Sequence, residues 1–284
     1  MYKFPIGVMM DSFRLPVDEA IQKAVSIGAQ GFQMYATYGE HAPENMSPAK
    51  IRELMDKMTS NGLVFSALCG DLGQGFGHAE RNPELIEKSK RILDLAKELG
   101  TDVVTTHIGV VPADPTIDRY KIMQEACFEL SRYADSIGSH FAIETGPETS
   151  LVLKNFLDTL NSTGVAVNLD PANLVMVTGD DPVQAVYNLQ KYIVHTHAKD
   201  GVKLFHVPPE EIYGVTPMPE DVKNITSHRE EPLGQGNVNF PAYLKALEDI
   251  GYRGFLTIER EIGDDPVKDI GEAADFLRKV MAEN

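Results

Sequence analysis

Two periods alternate along the chain. Apolar residues first recur at three- and four-residue spacing, as in Leu85, Ile86, Ile92, Leu93, Leu95, Ala96 and Leu99, or Phe240, Tyr243, Leu244, Leu247 and Ile250. That is the stripe of a helix packed on an apolar surface. Short β-rich runs then follow, each behind a glycine: Gly28 before 31–35, Gly62 before 63–67, Gly100 before 103–107, Gly138 before 141–144, Gly164 before 165–170 and Gly251 before 255–259. A helix ends readily on glycine because positive φ carries no Cβ penalty there, so these six glycines predict six helix-to-strand joints. With Ile6–Met9 and Tyr192–His197 added, eight strands alternate strictly with helices, which predicts parallel strands covered by helices.

An open doubly wound sheet is the rival arrangement. No Gly-x-Gly-x-x-Gly turn follows the first strand, and eight units in 284 residues favour closure, since one α/β barrel needs roughly 250 residues. The expectation is a single (β/α)8 barrel domain over 1–284. Residues 201–231 make a long connection after the seventh strand, with Pro208, Pro209, Pro217 and Pro219 among Phe205, Ile212 and Tyr213. Stiffened by proline and able to pack, this segment is expected to be a lid.

Composition narrows the function. A formal net charge of −16, from 42 acidic and 26 basic residues, disfavours nucleic acid and anionic lipid surfaces, which bind through clustered Lys and Arg. Cys69 and Cys127 form no metal or redox spacing and are expected to be buried free thiols. The start, Met1-Tyr2-Lys3-Phe4-Pro5, lacks the pattern of a signal peptide, and no segment reaches the apolar length of a membrane span. A cytoplasmic location is the expectation.

The chemistry of an α/β barrel sits at the C-terminal ends of its strands. Here strand four ends in His107, strand five in Glu144, strand six in Asp170, strand seven in His195 and His197, and strand eight in Glu259, followed by Arg260 and Glu261. Singly, each has a structural use: a Glu can cap a helix, an Asp before Pro171 can set a turn, a His can be a satisfied core group. Together they would repel one another in a shallow, partly dry pit unless a cation shared them. Glu144, Asp170, His197 and Glu259 are therefore the expected ligands of one divalent ion. His195 and His197 point to the same face, so spacing leaves the choice between them open; His197 lies nearer the strand end. Oxygen-rich ligation with one His suits Mn²⁺ first, with Mg²⁺, Co²⁺ or Zn²⁺ as alternatives.

The strand ends Ala142-Ile143-Glu144, Asn168 to Asn173, His195-Thr196-His197-Ala198-Lys199-Asp200, Pro232 to Gly236 and Thr257 to Glu261 resemble the xylose-isomerase-like barrel superfamily, in order from about residue 5 to 280. Within it the resemblance is to the sugar phosphate isomerase/epimerase group, with its ketose 3-epimerases and inosose isomerases or dehydratases. It implies metal ligation by the same four residues, with Glu144 and Glu259 also acting as base and acid on a carbon beside a carbonyl, through an enediolate. Epimerisation is favoured over aldose–ketose isomerisation.

Three alternatives stay open: a lyase dehydrating an inosose or a dehydroshikimate, a repair endonuclease of the endonuclease IV type, and a non-catalytic metal-binding barrel. The nuclease pattern has Asp-x-x-His where this chain has Asp170-Pro171-Ala172-Asn173, and its later Asp-x-His pair is missing near Gly234–Asn237. His107 remains as a candidate extra ligand or substrate contact. Asn173, Lys199 and Arg260 are further candidates for contacting substrate, as are Lys203 and Arg229. The expected partner is a small sugar or sugar phosphate, and the resemblance implies a dimer or tetramer.

Overall fold

The structure, a computed structural model, describes residues 2–220 and 222–284; Met1 and residue 221, inside the expected lid, lie outside it. Eight parallel strands close into a barrel: β1 (Ile6–Met9), β2 (Gly31–Tyr35), β3 (Val64–Cys69), β4 (Val103–Thr106), β5 (His140–Glu144), β6 (Val165–Leu169), β7 (Ile193–Ala198) and, after an insertion, β10 (Leu256–Ile258). Each pairs with its neighbours in chain order, and β10 closes the ring on β1 with Ile6 opposite Leu256. This is a single (β/α)8 barrel. Between β7 and β10, β8 (Asp200–Lys203) and β9 (His228–Glu231) form a separate antiparallel pair.

The helices predicted from the apolar stripes lie where the spacing puts them. Asn82–Glu98 buries Leu85, Ile86, Ile92, Leu93, Leu95 and Ala96; Phe240–Asp249 buries Phe240, Tyr243, Leu244 and Leu247. Five of the six joint glycines have positive φ, from 61° at Gly138 to 78° at Gly100. Gly164 is the exception, and its reason differs: a Cβ there would lie 2.1 Å from the Ser131 carbonyl oxygen and 2.5 Å from the Asp135 nitrogen. Close approach of the Asp118–Ile137 helix, not backbone handedness, requires glycine at this joint.

Two of the packed regions set the barrel's layers. The large core lies between strands and helices, while Ala67, Val103, Ala142 and Ala166 form their own small buried cluster. These four sit two residues before Cys69, Thr105, Glu144 and Asn168, so by strand alternation they occupy the layer beneath those side chains. Small side chains low in the barrel leave its upper layers to polar groups. Among the described residues no helix is long and apolar enough to cross a membrane.

Candidate active site

Glu144 is the last residue of β5, Asp170 follows β6, His197 lies near the end of β7, and Glu259 follows β10. All four are buried, and one potential ligand atom from each lies within 4.8 Å of the others. Among the described residues this is the one group of three or more His, Cys, Asp or Glu placed to hold a metal ion.

The imidazole of His197 is oriented from below. Gln33 donates its amide N–H to Thr105 Oγ1 at 2.9 Å, which turns its carbonyl oxygen towards His197 Nε2 at 3.1 Å. An Nε2 proton donated to Gln33 would leave the Nδ1 lone pair for an ion held on the carboxylates' side of the ring. There Nδ1 lies 3.2 Å from Asp170 Oδ2, 3.3 Å from Glu259 Oε2 and 3.6 Å from Glu144 Oε1. Without an ion, Glu259 and Glu144 outweigh the effect of burial and hold the His197 pKa well above its usual value, so positive charge is favoured where three carboxylate oxygens converge.

His195 does different work. Its Nδ1 meets Asn168 Oδ1 at 2.9 Å and its Nε2 meets Thr257 Oγ1 at 2.9 Å. Burial, then the nearby His197, holds its pKa well below normal, which fits a neutral ring donating from Nδ1 and accepting at Nε2. Asn168, turned by that bond, donates to Glu144 Oε2 at 3.1 Å, and Asn173 donates to Glu144 Oε1 at 3.0 Å. His195 is thus a support for Glu144 through Asn168. Asp170 Oδ1 accepts the Asn173 backbone N–H at 2.8 Å and sets the turn after β6, the structural use foreseen for it, while Oδ2 faces His197.

A divalent ion fits these residues on charge. Glu144, Asp170 and Glu259 bring three negative charges; buried Lys199, 2.9 Å from Glu259 Oε2, is shared with Glu261 at 2.5 Å, and a dication would offset most of what is left. Lys199 and His197 in turn hold the Glu259 carboxyl well below the usual carboxylate range despite its burial.

Glu144 and Glu259 line a cavity of about 510 Å³, within the range of small-molecule sites, with Asp170 and His197 packed against them. His107, Asn173 and Lys199 line it. His107 is held by Asp71, Nδ1 to Oδ2 3.2 Å, with Nε2 3.6 Å from Glu144 Oε1. Arg260 is not brought to the cavity: its guanidinium is taken up by Glu230 at 2.6 Å and Asp269 at 2.8 Å. Lys203 donates instead to the Val177 carbonyl, and Arg229 pairs with Glu231 while lining the cavity. The 201–231 segment forms one wall through Ile212, Tyr213, Thr226 and His228, with Ile212 packed on Ala172, Met176 and Val177.

Sequence reasoning missed Gln33, Asn168 and Asp71. Strand alternation could have found Asn168, two residues before Asp170, but Asp71 lies in a glycine-rich loop with no period to mark it.

The model of the xylose isomerase-like TIM barrel family matches residues 21–280. The chain belongs to that family. Among solved members of this xylose isomerase-like fold, a xylose isomerase domain protein from Planctomyces limnophilus is 25% identical, with a TM-score of 0.80 over 99% of this chain and 97% of the other. D-psicose 3-epimerase from Clostridium cellulolyticum H10, solved with D-tagatose, is 16% identical, with a TM-score of 0.72 over 98% and 99%. A probable 3-DHS dehydratase from Bacillus anthracis is 18% identical, with a TM-score of 0.72 over 97% and 99%. At these identities the last two share a fold with this xylose isomerase-like barrel and nothing narrower.

Proposed function

We propose that this protein is a divalent-metal-dependent sugar or sugar phosphate isomerase or epimerase. The observation that carries the reading is the convergence of Glu144 and Glu259, from non-adjacent strands, on the point that Asp170 and His197 also face at the foot of the cavity. Glu144, Asp170, His197 and Glu259 would hold the ion, Mn²⁺ in first place. Such an ion would supply Lewis-acid stabilisation of the negative charge that develops when a proton leaves a carbon beside a carbonyl.

The chain's own groups do the rest. One carboxylate takes the proton and the other returns one; with acid and base on opposite sides of the carbon the outcome is epimerisation. Asn168 and Asn173 hold Glu144 in place, and Lys199 favours the ionised form of Glu259. Tyr213 and Ile212 close one side of the cavity, which is the work of a lid that keeps water from the reacting carbon. The structural likeness to an epimerase supports this reading, and the equal likeness to a dehydratase makes product identity the test.

The experiment is incubation of the Mn²⁺-loaded protein with a ketose panel in D2O, followed by NMR. Deuterium bound to carbon in an epimer or aldose product is expected. A dehydrated product would move the assignment to a lyase, and product without deuterium would remove solvent-exchanging proton transfer.

A further inference from the structure

A second chamber of about 420 Å³ opens beside the first and shares Asp71, His107 and Tyr213 with it. Its lining is rich in glycine. Gly73, Gly75 and Gly77 come from the loop after β3 and Gly109 from the loop after β4; a Cβ on Gly75 would lie 2.7 Å from the Ile108 carbonyl oxygen, so the two loops touch. Val110, Met123 and Val215 add apolar surface.

The charged group on this wall that stands out is Arg119. Its aliphatic stem lies along Gly77, where an added Cβ would come within 3.4 Å of both Cγ and Cδ. Its Nε is buried and has no hydrogen-bond partner among the described residues. Its nearest carboxylate is Glu210 of the 201–231 segment, 4.0 Å from Nη2, beyond hydrogen-bond range. A buried donor without an acceptor is costly, and in a chain of net charge −16 a cation left so incompletely paired in a cavity is conspicuous.

We propose that this chamber is a subsite for an anionic group on the substrate, a phosphate or a carboxylate, and that Arg119 binds it. The inference rests on the sugar isomerase reading and deepens it. The reacting carbon sits over the four-residue cluster, the chain of the sugar passes between His107 and Tyr213, and its charged end meets the guanidinium. A planar fork of N–H donors suits both oxyanions. Arg119 is a specificity residue here, away from the reacting atoms.

Binding of D-fructose, D-fructose 6-phosphate and D-fructuronate to the Mn²⁺-loaded protein, followed by calorimetry, separates neutral, phosphate and carboxylate forms of one skeleton. The wild type should bind one of the anionic sugars about tenfold or more tightly than fructose. Arg119→Gln should erase that preference without changing the affinity for fructose, while Glu210→Gln should strengthen it. Equal affinity for all three sugars in the wild type overturns the proposal. So does a matching loss for all three in both variants, which would make Arg119 and Glu210 a clamp on the lid. Anion preference that depends on Arg119 with no turnover of any sugar keeps the subsite and removes the isomerase; turnover with no anion preference does the reverse.

Discussion

Glu144 and Glu259 differ in what holds them. Two amides, from Asn168 and Asn173, fix both oxygens of Glu144, whereas Glu259 faces two cationic groups, Lys199 and His197. Replacing either glutamate by glutamine keeps the shape and removes the exchangeable carboxylate, so Glu144→Gln and Glu259→Gln should each lower turnover by about a thousandfold or more with the fold retained. Unchanged turnover in either, measured beside a circular dichroism spectrum, would take that residue out of proton transfer.

A third carboxyl carries a different expectation. Glu148, buried between the Val111 N–H at 3.1 Å and an Oε1 with no partner among the described residues, has its pKa pushed up to about 8 by burial, against the opposing effects of Val111 and His107. Its folded pKa exceeds its unfolded value, so the stability it contributes is full below about pH 4.5 and is lost as pH rises to about 8. Glu148→Gln should therefore flatten the pH dependence of thermal unfolding and be more stable than the wild type at about pH 9; an unaltered slope between the two pH values would contradict this.

At the scale of elements, the loop after the 201–231 segment hangs on one side chain. Asp200 Oδ1 accepts the backbone N–H groups of Gly201 and Val238, and Oδ2 those of Gly234 and Gly236, all between 2.8 and 3.0 Å. A Cβ on Gly236 would lie 2.2 Å from Asp200 Oδ1, which is why a glycine stands there. The stretches His197 to Asp200 and Pro232 to Gly236, both among those that carry the family resemblance, are thus two halves of one hydrogen-bonded joint. Asp200→Ala strands four backbone donors, two of them in buried bonds, and should cost about 3 kcal/mol in urea unfolding. An unchanged midpoint and slope would show that the joint is not holding the loop.

This joint also shows what was legible in the sequence. Periodicity and glycine placement located all eight barrel strands, because a covered strand and an outer helix leave unmistakable periods. The four converging side chains were legible because barrel closure brings strand ends to one axis whatever the loops do. The β8–β9 pair and the turning away of Arg260 were not: the pair joins residues distant in sequence, from Asp200 with Glu231 to Lys203 with His228, and Arg260 is drawn off by Glu230 and Asp269, both placed by tertiary packing. Gly164 was read by the right rule for the wrong reason, a packing constraint being silent in one sequence.

For the whole molecule, the barrel gathers negative charge at one mouth. Three buried carboxylates repel in low dielectric unless neutralised, so an ion bound among them would link folding to ligand binding. At about a hundred times its Kd, a bound ion should add about 2.7 kcal/mol, a rise of several degrees in Tm. The most direct measurement is metal stoichiometry by mass spectrometry after chelation, Mn²⁺ reloading and dialysis, on the wild type and on the folded Asp170→Ala/His197→Ala double variant. One ion per wild-type chain and none in the variant is the predicted result. A wild type that retains no divalent ion, or a variant that retains as much, would contradict a shared site at Glu144, Asp170, His197 and Glu259.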